Sequence, residues 1–167
     1  MMRLGALAIC AALLMGASAH AQPAEPAQSA PAAPEYGLPI NNEQAKAAAA
    51  AALAEAKKNN WRVAVAVVGP YGEIVYFEKI DGTQNASESL ATAKARTAAL
   101  YRRPSKIFAD AYAAGNLAFT TFPERPIASE GGIPIIVNGK IVGAIGVAGG
   151  TGQQDGVAAT AGANAVK

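Results

Sequence analysis

Residues 131–150 read GGIPIIVNGKIVGAIGVAGG. Two apolar runs rich in β-branched residues, 133–137 and 140–147, meet at Asn138-Gly139. That dipeptide suits a two-residue hairpin turn, in which both central residues need positive φ. The stretch therefore predicts an antiparallel pair. Working toward the N-terminus, 61–68 alternates with Trp61, Val63, Val65 and Val67 on one face, as a strand does. Gly69-Pro70-Tyr71-Gly72 turns the chain and 74–80 returns as the partner strand.

Helices fill the intervals. Asn41 is a suitable N-cap for a helix over 42–59, with Gln44 three residues on and six consecutive alanines at 47–52. Asn85 followed by Glu88 opens a helix to about Arg102. Pro104 then breaks the chain into a further helix over 105–114, which Gly115 ends. An irregular stretch, 116–132, leads into the hairpin. The loop Gly149-Gly150-Thr151-Gly152 precedes a last helix, expected to be capped near Asp155. The order is α-β-β-α-α-β-β-α. Strands paired in hairpins, without helical crossovers between parallel neighbours, predict an α+β fold with an antiparallel sheet flanked by helices.

The N-terminal part has a different character. Arg3, the apolar run 4–17 and Ala19-His20-Ala21 have the layout of a secretory signal peptide, residues 1–21. The apolar run is shorter than the roughly 20 residues of a membrane span. Residues 22–40 hold five of the ten prolines and read as an extended Pro/Ala-rich linker, so the folded domain is expected over 41–167. Cleavage after Ala21 implies a periplasmic or secreted protein, not inserted in a membrane, that begins at Gln22. It also removes Cys10, His20, Met1, Met2 and Met15, which are every Cys, His and Met of the chain. The mature protein then has no disulfide, no His-based triad, and no zinc site built on Cys or His.

Of the 167 residues 51% are hydrophobic, enough for a core, so wholesale disorder is excluded. The 14 basic and 12 acidic residues nearly cancel, which gives no electrostatic reason to bind nucleic acid. The glycines at 143–152 lack the Lys-Ser/Thr of a phosphate loop and follow a hairpin, which excludes a dinucleotide fingerprint. Lys94, Thr97 and Tyr101 are spaced to share one helix face, while Arg96 reads as a solvated charge. Asp81-Gly82 reads as a turn. Glu130, beside Gly131-Gly132, is placed as a carboxylate bordering a cavity is. An alanine-rich first helix and few surface charges predict self-association into a homo-oligomer.

The stretch 131–155, together with KARTAA at 94–99 and KIDG at 79–82, resembles the GlcG/HbpS family of haem-binding-type proteins. That family is similar to the C-terminal domain of PduO corrinoid adenosyltransferases. The resemblance spans about residues 41–167 and implies a profilin-like sheet, dimers or larger rings, and haem as ligand, with a sensor kinase as partner in some members. Others sit beside glycolate-utilisation enzymes. Two departures stand out: Lys79-Ile80-Asp81 replaces the family's usual Arg-Met-Asp, and Gly156 follows Gln154-Asp155 where an acid is usual.

These readings combine into a secreted small-ligand-binding module for haem or a related anionic molecule, with an enzyme of haem degradation or of small hydroxy-acid metabolism as the alternative. The expected pocket lies between the sheet and the Lys94 helix. Lys94 would pair with a carboxylate of the ligand, Thr97 and Tyr101 would face its plane, and Gly131 and Gly132 would admit it closely. Glu130 would border it, and Asp81 and Asp155 would order loops. With His, Cys and Met gone, Tyr101 is the expected ligand of haem iron, with Thr97, Lys94 or a water as the alternatives.

Overall fold

The computed structural model describes residues 32–167; the expected signal peptide and the linker up to Pro31 lie outside them. The elements follow the expected order: α1 (Asn42–Lys58), β1 (Ala64–Val68), β2 (Ile74–Lys79), α2 (Ser87–Tyr101), α3 (Lys106–Ala113), β3 (Gly132–Val137), β4 (Lys140–Ala148) and α4 (Gly152–Asn164), with a short 3-10 turn at Ala118–Thr121. The four strands form one antiparallel sheet in the order β2-β1-β4-β3, so the α+β expectation holds. Asn138 and Gly139 both take positive φ, 50° and 75°, as the turn between β3 and β4 requires.

Both faces of the sheet are covered. Val63, Val65 and Val67 point with Ile135, Ile145 and Val147 into a core closed by α1 and α4. Ala64, Ala66 and Val68 point the other way, with Ala144 and Ala148, onto Ala91, Ala95, Ala98 and Ala99 of α2. The alternation of β1 is thus large against small, which is why all five of its residues are buried. A Cβ on Gly146 would run into the backbone of α2 at Ala91 and Ala95. Small residues let this helix lie directly on the strands.

Local chemistry moved several expected boundaries. Trp61 precedes β1, because its amide donates to Ala56 O in the turn that ends α1. Asn85 does not cap α2. That helix starts at Ser87 from Ala86, without a side-chain cap, after a turn in which Ser87 N donates to Gln84 O. Nor does Asp155 cap α4: Thr151 and Gln154 form a reciprocal capping box there, which frees Asp155 to turn inward.

The folded unit also begins before Asn41. Ile141 N donates to Glu35 O and Gly37 N to Ile141 O, each at 2.8 Å, and Ile40 N donates to Val142 O at 2.7 Å. β1 pairs with β4 only as far as Val68 opposite Ala144. Residues 35–40 supply the backbone partners that the start of β4 would otherwise lack. The Tyr36 hydroxyl donates to Ala99 O at 2.9 Å, tying this strap to the end of α2. Among the described residues no helix is long and apolar enough to cross a membrane.

Candidate functional site

Lys94 emerges from α2 toward the end of β4, where its Nζ donates to Val147 O at 3.1 Å and pairs with Asp155 Oδ2 at 2.7 Å. Both side chains are 3% exposed. Asp155 Oδ1 accepts from Gly150 N at 2.9 Å, so both carboxylate oxygens are engaged. Gly131 lies against the pair. Its φ of 123° suits glycine, and a Cβ there would sit 2.6 Å from Val147 O and 3.1 Å from Lys94 Nζ.

Among the described residues, the pocket expected between the sheet and the Lys94 helix is closed where Gly132 meets Lys94. A Cβ on Gly132 would collide with Lys94 O, so strand and helix backbones already touch. Lys94 is committed to a protein carboxylate, and its role in this structure is to join α2 to α4.

The cavity beside this junction lies outside the helix–sheet interface, along the start of β3 and one face of α4. It measures about 430 Å³ and is lined by Pro104, Lys106, Ile133, Val157 and Thr160 around Glu130, Gly131 and Gly132. Gln153, Gly156, Val157 and Thr160 present one face of α4 to it, at helical spacing. The floor is glycine backbone and much of the wall is hydrocarbon. At Gly156, where the sequence departs from the family pattern, a Cβ would lie 2.7 Å from Glu130 Oε1, so the missing side chain makes room for the Glu130 carboxylate. Lys106 stands at the rim, bonded to Asp110 at 2.6 Å. That bond raises the lysine above its usual 10.5, and the charges of Asp110 and Glu130 add to the effect, so it stays cationic.

Thr97 and Tyr101 lie elsewhere. They line a smaller recess of about 120 Å³ with Ala93, Arg96, Leu100, Glu124 and Arg125. The Tyr101 hydroxyl donates to Glu124 O, and its ring packs edge-on against Phe108 at 5.0 Å and stacks with Phe122 at 6.3 Å. Burial, then the Glu124 charge, raises this phenol above its usual 10.0, which holds it as a neutral donor. Asp81, exposed in the turn after β2, lines neither recess, and the neighbouring Ile80 packs on the core. Three of the eight expected residues, Glu130, Gly131 and Gly132, therefore meet in one cavity. Lys94 and Asp155 lie behind it, and Thr97 and Tyr101 line the other recess. Sequence reasoning missed Lys106, Gln153, Val157 and Thr160, although the i, i+4 rows on the last helix carry that signal.

Comparison with known proteins places this geometry among relatives. A family model described as haem degrading protein HbpS-like matches residues 40–164. Protein GlcG of Escherichia coli (strain K12) is 40% identical over 108 residues, 65% of this chain and 80% of that protein. A crystal structure of HbpS superposes with a TM-score of 0.71 at 31% identity, covering 89% of this chain and 99% of that one. A crystal structure of a PduOC:haem complex also gives 0.71, at 20% identity, over 78% of this chain and 96% of that one; its likeness is one of fold.

Proposed function

The chain belongs to the HbpS-like family, and on that premise we propose that it binds haem or a related flat, anionic small molecule in the cavity along Gly131 and Gly132. The observation that carries this reading is the cavity itself. Its 430 Å³ falls within the roughly 300–1,000 Å³ typical of small-molecule sites. A glycine floor and the side chains of Pro104, Ile133 and Val157 suit an apolar plate, and Lys106 suits a peripheral carboxylate.

The donor set sets the terms for iron. The cavity presents the Glu130 carboxylate, the Thr160 hydroxyl and the Lys106 ammonium, and the sequence carries no His, Cys or Met beyond residue 20. Oxygen donors and one cation fit a porphyrin that is held mainly by its body and its propionates. The bound group would supply a redox-active iron; Glu130 and Lys106 would orient it, and the α4 face would shield one side from water.

Titrating haemin into the protein and following the Soret band tests the proposal. Saturable binding is expected. It should weaken by about tenfold or more in Val157→Glu, which puts a charge into the apolar wall, and in Gly156→Leu, which fills the space. Equal affinity in wild type and both variants would refute this site. Bleaching of the band on adding a reductant would favour a degrading enzyme over a binding module.

Export to the periplasm and self-association belong to the same reading. Association is supported by Ile107, Tyr112, Leu117 and Phe122, each more than 40% exposed on α3 and the segment after it. Light scattering that gives a monomer mass at micromolar concentration would remove this part of the proposal.

A further inference from the structure

We infer that Arg96, Thr97 and Arg125 form a binding site for a small free carboxylate, separate from the cavity along Gly131 and independent of the haem reading. The recess they line with Ala93, Leu100, Tyr101 and Glu124 holds about 120 Å³. That is room for several water molecules, and it suits a two- or three-carbon acid.

Charge and hydrogen bonding define the guest. Among the described residues neither guanidinium forms an ion pair with a carboxylate. Two cations against the single carboxylate of Glu124 leave the recess positive, and planar guanidinium forks match carboxylate oxygens. The Arg96 stem is steadied against Gly72, where a Cβ would lie 3.4 Å from Arg96 Cγ.

Thr97 supplies the second, independent observation. It is 4% exposed, and its hydroxyl oxygen accepts from Ile127 N at 3.0 Å. Other helical threonines here turn their own proton back one turn, Thr92 to Glu88 O at 3.0 Å and Thr160 to Gly156 O at 2.8 Å. The Thr97 proton has no acceptor among the described residues, yet Thr97 lines the recess. A buried donor without an acceptor beside two unpaired guanidiniums calls for an anion that accepts hydrogen bonds. Ala93 and Leu100 offer apolar contact for its short alkyl end.

The test is a titration of the full chain with sodium acetate at ionic strength held constant with chloride, read by the ¹H–¹⁵N signals of the Arg96 and Arg125 Nε–H groups and of the amides of 93–101 and 124–127. Saturable shifts confined to these groups are expected. Binding should be about tenfold weaker in Thr97→Val, which keeps the shape and removes the hydroxyl, including its bond from Ile127 N, and lost in Arg96→Gln/Arg125→Gln, a surface change that leaves melting unaltered. Shifts that rise without saturation, that chloride reproduces, or that persist in the double arginine variant would overturn the site. So would shifts produced by haemin and competed by acetate, because the recess would then hold a porphyrin propionate.

Discussion

Lys94 Nζ stands 2.7 Å from Asp155 Oδ2 in a contact almost closed to water. The two residues belong to helices on opposite faces of the sheet, α2 and α4, and meet past the end of β4, where Val147 O and Gly150 N complete their bonding. Gly131, which also lines the cavity along α4, rests against both. The pair thus fixes the backbone that floors the cavity without reaching into it.

Removing one partner leaves a buried charge without compensation. Lys94→Met and Asp155→Leu should each lower unfolding free energy by about 3–5 kcal/mol. The double variant should lose clearly less than the sum of the two, because no lone charge remains. Urea unfolding of the four proteins checks this; additive losses would show that the two groups do not act as a pair.

The contact between α2 and β4 predicts a second cost. Gly146→Ala places a methyl group against the Ala91 and Ala95 backbone, and backbone gives way less readily than a side-chain end. A loss of about 1–3 kcal/mol is expected, from overpacking. A melting temperature equal to wild type would mean that the helix can lift from the strand without penalty.

The hairpins were legible because their signals are local: Asn138-Gly139 and 69–72 need only their own backbone torsions. The cover on the second face shows in the alanines that alternate with valines along β1, a signal that reading only the Trp61, Val63, Val65 and Val67 face leaves unused. Asp155 was misread as a cap because helix starts often carry an acid. The Thr151-x-x-Gln154 box was present in the same loop and takes the capping role. Its partner Lys94 lies 61 residues away, and no local pattern connects them. The site scattered for the same reason. Spacing on one helix put Lys94, Thr97 and Tyr101 on a shared face, but that face is partly under β4 and partly under the 124–127 segment.

Alkaline pH should weaken the fold through the two phenols that donate to main-chain oxygens. Burial raises Tyr36, with Arg102 opposing it. Burial and then Glu124 raise Tyr101. Each therefore binds its proton more tightly folded than unfolded. The stabilisation is fully present below the ordinary value of 10.0 and is lost as pH rises through the elevated folded values. Urea midpoints measured from pH 8 to 11 should fall at the alkaline end, and Tyr36→Phe/Tyr101→Phe should flatten that fall. A slope unchanged by the double substitution would assign it to other groups.

Tyr101 also separates two accounts of haem binding. By sequence it is the expected iron ligand, since it is the tyrosine that shares a helix face with Lys94 and Thr97. In the structure its hydroxyl is engaged with Glu124 O, it is held as a neutral phenol, and it lines the smaller recess. To ligate iron it would have to break that bond and lose its proton, in a recess of about 120 Å³. If haem enters the cavity along Gly131, the donors within reach are Glu130 and Thr160. Carboxylate and hydroxyl oxygens exert a weak field, so a ferric high-spin spectrum is expected, with Tyr101→Phe binding haemin as wild type does. Glu130→Leu, which removes the cavity's carboxylate, should alter that spectrum. A haem spectrum lost in Tyr101→Phe and unchanged in Glu130→Leu and Gly156→Leu would move the site to the α2 recess and show that the 124–127 segment opens to admit the ligand.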